Sequence, residues 1–258
     1  MEKDFKQVPS NLLRVVIYGP ESTGKTTLAR QLSDHYQTTF VKEFARDYLQ
    51  KKWDQKKEVC SRADLPIIVA GQIQLENEAT TMAKQVLICD TNVVVTKVWS
   101  ETHFEGYCDS QIASCCSKFH YDYYLLTGID VPWQKDDLRD RPNDRQIMFD
   151  YFKNTLDQLG ENYSVLKGNQ EKRLRKAIAI IDKLLKKLTN FFYLQSTFWH
   201  NTNLLNSRSS NFKVSTTQLF VTCLSYEPKC TFSITGYMTT NGFQIGTIGQ
   251  WTKRKRQS

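Results

Sequence analysis

Over the first 188 residues, apolar and polar positions fall into blocks whose period switches between that of a strand and that of a helix. Leu13-Arg14-Val15-Val16-Ile17-Tyr18 is a short apolar run, the pattern of a buried strand. Over 26–35 the spacing turns helical, with Leu28 and Leu32 one turn apart. Residues 39–42 suit a short second strand, and Phe44, Tyr48 and Leu49 return to helical spacing. The polar stretch 51–62 reads as a loop or a helix end. Asp64 suits the cap of a further helix reaching about residue 84, with Pro66 tolerated in its first turn. Val86-Leu87-Ile88-Cys89-Asp90 is an apolar strand ending on a carboxylate. A loop and helix over 106–118, a strand over 121–127 and a helix over 145–159 stopped by Gly160 follow. Residues 163–168 give a last short strand. Leu174, Ile178, Ile181, Leu185 and Leu188 then mark a packing stripe on an amphipathic helix. Five strands separated by helices predict a doubly wound α/β domain, a parallel sheet covered on both faces.

The pattern changes after residue 188. The segment 189–258 is rich in Ser, Thr, Asn and Phe and nearly free of acids. Residues 218–222 and 231–234 have strand propensity, and Gly236, Asn241-Gly242 and Gly246 offer turns. A domain over 13–188 is therefore expected, followed by a small β appendage, a poorly ordered extension or a segment foreign to the rest.

Chemistry concentrates at the strand ends. Gly19-Pro20-Glu21-Ser22-Thr23-Gly24-Lys25-Thr26 fits the Walker A spacing G-x-x-x-x-G-K-[ST] without a mismatch. It stands between a strand and a helix, the order that phosphate binding needs. Backbone N–H groups over Gly19, Glu21, Ser22, Thr23, Gly24, Lys25, Thr26 and Thr27 would cradle phosphate oxygens at the helix N-terminus. Lys25 would reach the β- and γ-phosphates, and the Thr26 hydroxyl would ligate Mg²⁺. Asp90 ends a strand where such proteins place the acid that serves the metal; it is also placed to cap the next helix. Glu43 and Arg46 lie at the sheet edge where ligands collect. Gln72 and Glu76 share a helical face, turned either to a substrate cleft or to solvent. Trp99 is either core or part of an acceptor site. Arg139, Arg141 and Arg145 crowd a polar stretch beside Pro142. They suit a lid whose guanidinium groups stabilise a transferring phosphoryl, or an exposed loop of Asp–Arg pairs; their place after the fourth strand favours the lid.

Composition narrows the class. No apolar run approaches the ~18 residues of a membrane span. The charged start Met1-Glu2-Lys3-Asp4 lacks the apolar core of a secretion signal. Seven cysteines without a C-x-x-C pair, two of them the adjacent Cys115-Cys116, suit reduced thiols in a cytoplasmic protein. The formal charge of +8 resides mainly beyond residue 188, where the sequence has seven Lys or Arg, four of them in the run Lys253-Arg254-Lys255-Arg256, and a single acid, Glu227. The charge is therefore no sign of nucleic-acid binding by the nucleotide-binding part; such a run is more often a solvated end.

The phosphate loop, Glu43-Phe44-Ala45-Arg46-Asp47-Tyr48, Cys89-Asp90-Thr91, Pro132-Trp133, Asp137-Leu138-Arg139 and Arg145 together resemble the ribosylnicotinamide kinase domain of the NadR proteins, within the P-loop kinases. The resemblance spans about 13–188, and the E-[FY]-x-R-[DE]-Y element with the D-T strand end is its more specific part. It implies an adenylate-kinase-like strand order of 2-3-1-4-5, ATP and Mg²⁺ as cofactors, and phosphorylation of nicotinamide riboside at its 5′-hydroxyl in NAD salvage. It makes Lys25, Thr26 and Asp90 the phosphate and metal residues, Glu43 and Arg46 the acceptor-side motif, and Arg139 and Arg145 the lid arginines; Arg141 has no counterpart. The H-x-G-H signature of the NadR adenylyltransferase half is absent, so NAD synthesis from the mononucleotide is not expected of this chain.

In-line transfer to a neutral hydroxyl benefits from a base, and Glu43 is the first choice, with Asp90 behind it. One rival is a kinase for another nucleoside or nucleotide. The other is an ATP-switched binding module; a guanine switch is disfavoured because N-K-x-D is absent.

Overall fold

The computed structural model describes the backbone over 5–206, 219–223, 232–239 and 242–246, and side chains over 5–189. β1 (Leu13–Tyr18) is buried along its whole length. It pairs in parallel with β3 (Val86–Asp90) on one side and β4 (Tyr123–Thr127) on the other. β2 (Phe40–Val41) lies outside β3, and β5 (Tyr163–Leu166) lies outside β4, both parallel. The order β2-β3-β1-β4-β5 is the expected 2-3-1-4-5.

A strand apolar at nearly every position can only be satisfied by cover on both faces. Leu13, Val15 and Ile17 of β1 pack with α1 (Lys25–Tyr36) and α7 (Gln170–Asn206) through Leu28, Leu32, Ala177 and Ile181. Val16 and Tyr18 face the other way. They join α3 (Leu65–Thr80), α4 (Val93–His103), α5 (Ser110–Lys118) and α6 (Arg145–Leu159) through Val69, Val98, Ile112 and Phe152. The register sets Ile17 opposite Asp90 and Tyr18 opposite Leu126. The loop after β1, the end of β3 and the end of β4 therefore meet at one edge of the sheet.

Several boundaries move. α2 (Phe44–Lys56) runs well into the stretch read as a loop or helix end; none of its residues is fully buried, so it carries no apolar stripe to betray its length. Asp64 does not cap α3 with its side chain. It accepts from Ser61, Tyr48 and Lys52, closing a capping box on the 3-10 turn Arg62–Asp64. α3 stops at Thr80, short of residue 84. α7 runs unbroken past 188 to Asn206.

Contacts divide the chain into Met1–Phe192 and Tyr193–Ser258. In the second unit β6 (Leu219–Cys223), β7 (Phe232–Thr239) and β8 (Gly242–Gly246) form an antiparallel sheet. Gly236 makes no turn: it lies inside β7, opposite Leu219 and Ile245. Gln218, Thr231, Asn241 and the basic run 253–256 lie outside the described residues. Among the described residues no helix is long and apolar enough to cross a membrane, and Cys60, Cys89, Cys108 and Cys116 are free thiols.

Candidate active site

Gly19 opens the loop after β1 with φ of 135°, and a Cβ there would lie 2.7 Å from Thr127 Oγ1 and 3.0 Å from the Thr127 carbonyl oxygen. Only glycine fits so close to β4 in that conformation. Ser22 and Gly24 also have positive φ, the kind of backbone that gathers successive N–H groups into an anion cradle. Gly24 is the N-cap residue of α1, so the cradle leads into a helix N-terminus. Thr23 Oγ1 lies 2.8 Å from the Pro20 carbonyl and 2.7 Å from Thr127 Oγ1, which fastens the loop to itself and to β4. Lys25 Nζ donates to the Pro20 carbonyl at 2.8 Å.

Thr26 Oγ1 donates to Asp90 Oδ2 at 2.5 Å. Asp90 is buried, and its Oδ1 has no partner. Burial, with the Glu43 carboxylate nearby, pushes the Asp90 carboxyl up to about 6. Asp90 does not cap α4: the Asn92 side chain does, accepting from Val94 N at 3.2 Å. An orphaned carboxylate oxygen beside a threonine hydroxyl is a hard oxygen donor set, and it fits Mg²⁺ held mainly by phosphates and water.

Glu43 occupies the N-cap position of α2 but does not cap it with its side chain. Gln72 of α3 does that work: its Oε1 accepts from Phe44 N at 2.9 Å. The ring of Phe44 presses on Gly71, where a Cβ would sit 2.3 Å from ring carbon. Glu76, one turn beyond Gln72, faces neither cleft nor solvent. It is buried, accepts from Tyr121 Oη at 2.8 Å, and burial pushes its carboxyl up to about 7. Trp99 stacks on His103 with centroids 3.9 Å apart.

The segment 131–144 folds over the loop. Gln134 N donates to Ser22 Oγ at 2.8 Å, and Arg141 N to Glu21 Oε1 at 3.2 Å. Asp136 takes the fork of Arg46, at 2.6 and 3.2 Å, and Arg139 Nε at 3.0 Å. Arg141 Nε donates to His103 Nε2 at 3.1 Å, an atom that Asp140 Oδ1 also approaches at 3.4 Å; burial and the Arg141 charge push the pKa of the ring down.

A cavity of about 750 Å³ joins these parts. Glu21, Ser22, Thr23, Gly24, Lys25, Thr26 and Thr27 line it, as do Glu43, Arg46, Gln72, Trp99 and Arg139. Gly19, Asp90 and Arg145 do not. Gly19 is pressed on β4, and Asp90 stands behind Thr26. Arg145, expected as a lid arginine, donates to the carbonyls of Val131, at 2.8 Å, and Ser22, at 3.3 Å.

Residues 14–173 match the family described as AAA domain. The chain belongs to this AAA-domain family. It is 29% identical over 125 residues to the trifunctional NAD biosynthesis/regulator proteins NadR of Salmonella typhimurium and of Escherichia coli, which bears out the resemblance drawn from the motifs. Each match covers 48% of this chain and 30% of the relative, so the matched part spans less than a third of those relatives. The crystal structure of NadR protein in complex with NR superimposes with a TM-score of 0.55 at 20% identity, over 67% of this chain and 50% of that one. NadR in complex with NAD and AMP-PNP gives 0.54 at 19%, over 67% and 49%. These likenesses show a shared P-loop fold.

Three residues of this AAA-domain protein escape a reading of its sequence. Thr127 ends β4 as a buried hydroxyl against the loop. His103 lines the cavity against Trp99. Arg173, buried in the first turn of α7, reaches the loop's own backbone. Its only signal was a charged residue beside the packing stripe that starts at Leu174.

Proposed function

We propose that this AAA-domain protein transfers the γ-phosphoryl group of ATP to a hydroxyl of a small ribosylated acceptor, and that the acceptor is nicotinamide riboside, phosphorylated at its 5′-hydroxyl. The observation that carries this is a single cavity lined both by the phosphate loop and by Glu43, Arg46, Gln72 and Trp99. The likeness to a NadR structure bound to NR supports the choice of acceptor.

Each residue has a role that follows from its position. The loop amides and Lys25 hold the β- and γ-phosphates, Lys25 exchanging the Pro20 carbonyl for phosphate oxygen. Thr26 and Asp90 are the protein's ligands for Mg²⁺, which when bound offsets phosphate charge. Glu43 accepts the proton of the attacking hydroxyl. Arg46 and Gln72 orient the acceptor, Trp99 offers a flat face to its ring, and Arg139 stabilises charge on the transferring group.

ADP release is measured with ATP and Mg²⁺ against nicotinamide riboside and a panel of other ribosides. Release that depends on nicotinamide riboside, lowered ~10²-fold by Glu43→Gln with ATP binding intact, is the expected result. Release driven better by another nucleoside reassigns the acceptor. Hydrolysis indifferent to every acceptor replaces transfer with an ATP switch.

A further inference from the structure

Arg173 spends its guanidinium on the backbone of the cleft's framework. Its Nη1 donates to the Thr23 carbonyl at 2.6 Å, its Nη2 to the Gly128 carbonyl at 3.0 Å, and its Nε to the Gly168 carbonyl at 2.9 Å. Nη2 also pairs with Asp130 Oδ1, while Asp130 Oδ2 accepts from Gly168 N. The acceptors belong to three separate loops: the phosphate loop, the one after β4 and the one after β5. The side chain is 5% exposed.

That leaves one guanidinium N–H uncommitted, on Nη1. The charge is already met by Asp130. A residue so occupied has little left for a nucleotide, although it lines the cavity. Its effect runs through the loop instead. In a trans peptide the N–H points opposite the C=O, so fixing the Thr23 carbonyl fixes the direction of the Gly24 N–H, one of the cradle amides. We infer that Arg173 is a positioning residue: it sets the phosphate loop in its binding shape by tying it to the loops after β4 and β5. This rests on the reading that the loop binds ATP.

ATP affinity is measured by calorimetry on the full chain with Mg²⁺, well below the melting temperature of each variant. Arg173→Met is expected to weaken binding ~10-fold or more. Arg173→Lys is expected to weaken it comparably, because a compact ammonium cannot serve three carbonyls in one plane. Ile181→Ala, in the buried face of the same helix, lowers the melting temperature without changing affinity. Should Arg173→Met fail to fold, Arg173→Lys carries the test. Arg173→Lys binding ATP as the unaltered chain does, or Ile181→Ala losing affinity in step with stability, overturns the inference. An unaltered chain that binds no ATP overturns the functional reading first.

Discussion

The phosphate loop and the segment folded over it, both part of one cleft, are held in different ways. Thr23, Thr127 and Arg173 fix the loop through hydrogen bonds out of reach of water, and β4 is packed so closely that Gly19 admits no side chain. The segment 131–144 rests on groups that water reaches: Arg46 and Asp136, whose side chains are 38% and 24% exposed, and Arg139. Buried hydrogen bonds hold a shape before the ligand arrives, so little ordering is left for binding. Partly exposed ion pairs contribute little each and weaken with salt. The loop is a preset grip, and the segment over it is an adjustable cover.

The sharpest way to break this contrast is at the loop. Lys25→Met should lower turnover by ~10²–10³, read as ADP release at saturating ATP, because it removes the loop's positive charge from the transferring group. A loss no larger than that of a cover variant would erase the distinction. Gly19→Ala comes next. Its new methyl would meet Thr127 at 2.7 and 3.0 Å with φ at 135°. It should destabilise the fold by ~2–4 kcal/mol in urea titration, and Thr127→Ala should relieve only part of that, since the backbone carbonyl remains.

Glu76 asks whether the ground beneath the acceptor side is as dry as that beneath the loop. Its folded carboxyl titrates at about 7 against an ordinary 4.5. Between those values the folded chain keeps a proton that the unfolded chain has lost, so stability falls as pH rises from 4.5 to 7. Glu76→Gln should recover on the order of 2 kcal/mol at pH 8 relative to pH 5; Asp90, raised for the same reason, leaves a residual slope of the same sign. Parallel stability curves for the two chains would mean that Glu76 is hydrated. The smallest effect belongs to the cover. Asp136→Ala should raise the acceptor KM about 5-fold at low salt, with the difference shrinking at high salt. An effect independent of salt would count against a cover held by ion pairs.

What the sequence made legible tracks how local the physics is. Lys25 and Thr26 are fixed by a loop whose spacing must match a phosphate chain, and Asp90 stands out as a carboxylate closing an apolar strand. Gln72 and Glu76 share a helical face yet meet different fates, because one turn along α3 leads from the cavity into the core. No pattern in one dimension marks that descent. Arg145 was visible as a charge, but its partners are the carbonyls of Val131 and Ser22. Arg173 was hidden for the same reason: its carbonyl partners Thr23 and Gly128 lie 150 and 45 residues away. Main-chain acceptors leave no imprint on residue identity. The strand order, by contrast, came from the motif resemblance, since periodicity supplies strands without saying which are neighbours.

Gly71 serves as a spacer of no thickness. The aromatic ring of Phe44 fills the room a methyl would need, so the helices bearing Glu43 and Gln72 stand at a set separation. Prying them apart would leave a hollow the size of a benzene ring. Refitting the protein to a bulkier acceptor therefore means trimming Leu49, Ile68 or Val95, whose side chains border the cleft, while the two helices stay where they are.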